Sequence, residues 1–194
     1  MKEECAITSD IKRFKKKKKI LELLNITDRE VASIQSFSPE GKKYISQFIN
    51  EFYEWMPEVQ EFKILFNRPE IVEEVKSKQS HYWEEVFDCK IDEDYVESRL
   101  KVGKLHAKIN LPLSSYMAGM SFSSDWWISK VNETVKDNVS LVRALNKVML
   151  FDANIICAAY NQASNDLIEE QNQTLMQLST PTIQLWEGIL VLPI

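Results

Sequence analysis

Glycine is scarce in this chain, with four among 194 residues. So few positions free to adopt left-handed backbone argue for long helices rather than a sheet with many tight turns. Cysteine is also sparse. Cys5, Cys89 and Cys157 are odd in number, far apart and without a CxxC pair, which supports neither a disulfide framework nor a zinc site and suits a reducing cytoplasm. No run approaches the roughly eighteen apolar residues that mark a candidate membrane span. Met1 to Asp10 is polar and acidic with no apolar signal core. The net charge is −5, so no overall basic field draws the protein to nucleic acid or anionic lipid. What is present is a 44% hydrophobic complement, enough for one core with an appendage. The expectation is a soluble, cytoplasmic, all-α protein.

Five lysines from Lys15 to Lys19 form a solvated face ahead of the apolar Ile20, Leu21, Leu23 and Leu24. Thr27 with Glu30 is a capping-box pattern, which starts a helix at Asp28. Ser38, Pro39 and Glu40 read as cap, first-turn proline and early carboxylate of a helix that ends before Pro57, with Ile45, Ile49, Phe52, Tyr53 and Met56 inward. Phe62, Leu65 and Phe66 make an aromatic corner before Pro69. Val72, Val75, Gln79, Tyr82, Trp83 and Val86 then mark a further amphipathic helix, with His81 on its polar side. Helices follow over Tyr116 to Val135 and from Ser140 onward, the latter without glycine or proline until Pro181. That last pattern far exceeds the usual 8 to 20 residues, so its later part leaves the main body. Trp126 has no evident place inside a monomer, and a homodimer would cover it. An apolar, β-prone run around Gly188 ends the chain.

The stretch Tyr95 to Met117, YVESRLKVGKLHAKINLPLSSYM, carries the sharpest pattern. Val102, Leu105 and Ile109 recur at helical spacing with His106 on the same stripe. Gly103, one turn earlier, leaves room for a flat group to approach. From these residues alone His106 reads first as a core histidine, since burial needs no metal, and Tyr53 reads as packing.

Tyr95, Val96, Arg99, Val102, Gly103, His106, Ile109, Leu111 and Tyr116 resemble the proximal stretch of the globin-coupled sensors, roughly YV..R..IG..H..IGL...WY. Asn110 stands where that family has glycine, and Ser115 where it has tryptophan. The resemblance covers most of the chain and implies a globin fold with an extended C-terminal helix. It implies a haem b whose iron is held by His106, with Tyr53, the second residue of a Phe52-Tyr53 pair, as the distal hydrogen-bond donor. Val75 and Lys78 fall at positions pointing toward the iron's gas ligand, Lys78 where a small hydroxyl residue is common. Phe66, Val102, Ile109 and Tyr116 complete the expected cofactor site. STPTIQLWEGILVLPI resembles the opening strands of the STAS domain in stressosome scaffold proteins. The implied organisation is a sensor globin over residues 1–164, a helical linker over 165–181 and the start of a STAS domain over 182–194. The implied function is non-enzymatic sensing of oxygen, another diatomic gas or iron redox state, with stressosome STAS proteins and a kinase as partners. A haem-free globin scaffold and a haem peroxidase or dioxygenase are the alternatives.

Overall fold

A computed structural model describes residues 17–65, 69–178, 183–186 and 189–191. Helical turns over 17–23 (α1) lead into α2 (Asp28–Gly41), which a 3₁₀ turn joins to α3 (Ile45–Trp55). Then come α4 (Gln60–Leu65), α5 (Pro69–Asp88), α6 (Glu93–Lys108), α7 (Leu113–Thr134) and α8 (Val139–Leu178). A short antiparallel hairpin pairs β1 (Ile183–Trp186) with β2 (Ile189–Val191) in the β-prone run. Helices α2, α6 and α7 pack on α8, while α3 packs on α5 and α7. The architecture of the body is all-α, as expected.

The capping box is formed: Thr27 N and Oγ1 both donate to Glu30 Oε2, at 3.0 and 2.5 Å. The expected helix start at Pro39 is not where the chain breaks. Ser38 and Pro39 lie inside the last turn of α2, and the chain bends at Lys42–Tyr44 instead. Burial decides this. Ile34, Phe37, Ser38 and Gly41 face inward together, and a Cβ on Gly41 would stand 2.9 Å from both Phe37 and Phe87 rings, so the last turn is pressed against α5.

The core is an aromatic nest. Phe48, fully buried, has ring centroids of Trp83 and Trp127 at 5.0 and 5.2 Å, and Phe87 closes on Trp127 at 4.7 Å. Trp126 belongs to it too, contrary to the expectation of an unhoused aromatic. It is half-buried, lies 4.8 Å from Trp127, and its Nε1 donates to Glu51 Oε2 at 2.5 Å. A second, smaller cluster joins Ile20 of α1 to Tyr95, Phe151 and Ile155, docking the leading segment on α6 and α8.

At 40 residues α8 is about 60 Å long at 1.5 Å per residue. Leu141, Leu145, Val148, Phe151, Ile155, Ile156 and Ala159 are buried, whereas residues 165–176 are exposed throughout. The first half of the helix is core and the second half stands free of it. No described helix is long and apolar enough to cross a membrane.

Candidate functional site

Helix α6 is fixed at both ends by local chemistry. Asp92 Oδ1 accepts from Tyr95 N at 3.0 Å, and the first turn carries Glu93 and Asp94, which favour its N-terminus. At the other end Asn110 takes a positive φ of 52°. Asparagine is among the few non-glycine residues that tolerate this conformation, so the departure from glycine there keeps the turn.

Its buried row is Tyr95, Arg99, Gly103 and Ala107, every fourth residue, and it faces α8. Gly103 therefore serves a different purpose from the one its spacing implied. A Cβ there would lie 2.3 Å from Ile156 O and 2.7 Å from Ala159 Cβ, so the glycine admits the α8 backbone rather than a flat group. Leu105 is 48% exposed and leaves the expected stripe.

Val102, His106 and Ile109 form a neighbouring, half-buried face, with Val102 and Ile109 packed on the main core. His106 Nδ1 is buried with no hydrogen-bond partner, and burial lowers the imidazole pKa to about 4. The ring is thus neutral near pH 7, the form that ligates metals. The Tyr116 ring lies 5.4 Å away, and its hydroxyl is also buried without a partner, with its pKa raised by burial and then by Asp152.

Across the molecule, Tyr53 on α3 is half-buried against the same core, its ring 5.7 Å from Phe52. Burial and then the Glu73 charge raise its pKa, so the hydroxyl keeps its proton near pH 7. Val75 is half-buried on α5. Lys78 is not turned inward: its side chain is 66% exposed and its Nζ sits 2.6 Å from Glu74. Lys76 is the nearer cation, 5.5 Å above the Tyr53 ring. One turn beyond Val75, Gln79 has a buried, unpartnered Oε1. His81 is on the surface between Glu84 and Glu85, as its periodicity predicted. Phe66 lies outside the described residues.

Helices α5 and α6 are tied to each other near the turn between them. Ser98 Oγ and Arg99 Nη1 donate to Glu85 Oε2, and Arg99 Nη2 donates to Tyr82 O. Among the described residues no hydrogen bond or ion pair joins Val75–Gln79 to Val102–His106, the stretch where the unpartnered polar atoms of Gln79 and His106 fall. No described group of three or more His, Cys, Asp or Glu residues is placed to hold a bare metal ion. A lone neutral imidazole on a half-buried apolar face fits a metal that arrives with its other ligands, as iron does in haem.

Sequence reasoning missed the largest polar feature beside this site. Asp152 of α8, wholly buried, accepts on Oδ2 from Arg99 Nε at 2.9 Å, Tyr82 OH at 2.9 Å and Tyr95 OH at 3.0 Å. Its only signal in the sequence is an aspartate inside the apolar run Val148 to Ile156.

The Protoglobin family matches residues 15–166 of this chain. The globin domain of a Geobacter sulfurreducens globin-coupled sensor superposes with a TM-score of 0.70 over 74% of this chain and 96% of that one, at 16% identity. That likeness bears on the fold, which is a globin with a long C-terminal helix. With the family match spanning every helix from α2 to α7 and the body of α8, the chain belongs to the Protoglobin family.

Proposed function

We propose that this chain is a haem-binding sensor domain that reports oxygen, another diatomic gas or iron redox state through α8. The carrying observation is His106: neutral, half-buried, with an unpartnered ring nitrogen, on a helix packed against the one that extends out of the body. Haem b would supply an iron that binds diatomic gases reversibly. His106 would hold that iron, Val102, Ile109 and Val75 would give apolar walls, and Tyr116 would steady the imidazole ring. Tyr53 would offer its hydroxyl as a hydrogen-bond donor to a polar ligand. Lys78, exposed beside Glu74, reaches a propionate only by leaving that partner.

In this reading the protein signals rather than catalyses, in the cytoplasm. Residues 165–181 link the globin to an output domain whose first strands include β1 and β2, a STAS domain of a stressosome scaffold with its kinase as downstream partner. A homodimer would form on α7 and α8, where Met117 and Leu150 are exposed apolar residues, with Trp126 serving the monomer instead.

Absorption spectra of the haem-reconstituted protein in ferric, ferrous and carbon monoxide forms test the reading. A saturable Soret band at one haem per chain, shifted by carbon monoxide, is expected. Haem that stays unbound contradicts it and leaves a haem-free globin scaffold.

A further inference from the structure

Helices α6 and α8 meet without a deformable layer between them. At Gly103 the α6 backbone lies directly against Ile156 and Ala159, and one turn later Ala107 offers only a methyl group. One turn earlier stands Arg99, fully buried between the Tyr82 and Tyr95 rings at 4.2 and 3.8 Å. The two rings and the hydrogen bond to Asp152 hold the guanidinium in place. Tyr82 and Glu85 bring α5 into the same cluster. Groups from α5 and α6 therefore converge on one carboxylate of the helix that leaves the body.

The contact between the two charged groups is a single one. Arg99 meets Asp152 through Nε on Oδ2 alone, while Oδ1 is buried and unpartnered.

The geometry points to a clamp: Arg99, Asp152 and Gly103 join α6 and α8 into one lever, so that a displacement of the His106 helix is delivered to residues 160–178. These are positioning residues that touch no cofactor. The inference rests on the sensing reading above, in which His106 is the moving point.

Amide hydrogen exchange on the full chain tests it, in haem-free and haem-loaded ferrous protein, the latter with and without carbon monoxide. Two variants probe different parts of the clamp. Asp152→Asn removes the charge but keeps the shape, and Gly103→Ala keeps both charged residues while forcing the backbones apart. In haem-free wild type, residues 97–105 and 150–159 exchange together; in each folded variant the two stretches exchange at separate rates. In haem-loaded wild type, carbon monoxide changes exchange over 160–178; both variants keep the Soret band and its carbon monoxide shift but lose that change. Should Asp152→Asn fail to fold, Gly103→Ala decides alone. Joint exchange persisting in folded variants, or an unchanged carbon monoxide response over 160–178, overturns the clamp with haem sensing intact. A wild type that binds no haem overturns the sensing reading, and the haem-free comparison then judges the clamp by itself.

Discussion

The two faces of α6 differ in how completely they are satisfied. Toward α8, Arg99 Nε donates a charge-assisted hydrogen bond to Asp152 Oδ2, two tyrosine hydroxyls donate to the same oxygen, and Gly103 brings the backbones into contact. A quarter-turn away, His106 Nδ1 and the nearby Tyr116 hydroxyl are buried with no partner. Proteins seldom bury polar atoms unpaired, because each one forgoes hydrogen bonds to water. Toward α8 the polar groups find partners within the chain except Asp152 Oδ1, whereas the other face offers a neutral imidazole with no partner at Nδ1.

Truncation is the most forceful way to break this contrast. Arg99→Ala strands the Asp152 carboxylate in the core, and removing one partner of a buried ion pair costs about 3–5 kcal/mol. His106→Ala in haem-free protein removes an imidazole whose Nδ1 is already unpartnered, and its cost is about 1 kcal/mol or less. Urea unfolding of both haem-free variants gives the comparison. Equal losses would erase the distinction between the faces.

Tyr53→Phe probes the unfinished side at its far edge. It deletes one hydroxyl and leaves the ring against Phe52, so haem is retained. A neutral hydrogen bond is worth about 1 kcal/mol net, roughly fivefold in an equilibrium constant, and the loss appears as faster oxygen release in stopped flow. Carbon monoxide, less polar when bound, responds less. Unchanged oxygen release would assign Tyr53 to packing.

A rim ion pair supplies the smallest effect and calibrates the other two. Hydrogen bonds from Lys147 and then Thr27 pull the Glu30 pKa down to about 2. A carboxylate depressed on folding adds stability that is present above its unfolded pKa and lost as pH falls through the folded one. Glu30→Gln is therefore less stable than wild type at pH 7, by about 1 kcal/mol for a partly exposed pair, and matches it near pH 2. Thermal melts at the two pH values check the sign.

Much of this architecture was legible in local pattern. Helical spacing placed the buried residues of α8 and of α3, although it passed over Phe48, the most buried residue of α3. The last turn of α2 was not legible, because Ser38 and Pro39 carry the local chemistry of a helix start and only packing against α5 carries the helix through them. The role of Gly103 was hidden for a related reason: a glycine signals close approach without saying by what. Arg99 and Asp152 lie 53 residues apart, and no periodicity links an arginine on one helix to an aspartate on another. On α5, spacing placed His81 at the surface, whereas the family resemblance pointed Lys78 toward a gas ligand, and the structure gives that lysine to Glu74.

The central claim is that His106 is the residue whose unfinished face holds haem iron. Its direct test is the Soret absorption of haem titrated into His106→Ala and His81→Ala, each folded by circular dichroism. The account predicts a wild-type band and haem affinity for His81→Ala, whose ring is in solvent, and a lost or greatly weakened band for His106→Ala. An undiminished band in His106→Ala would contradict it.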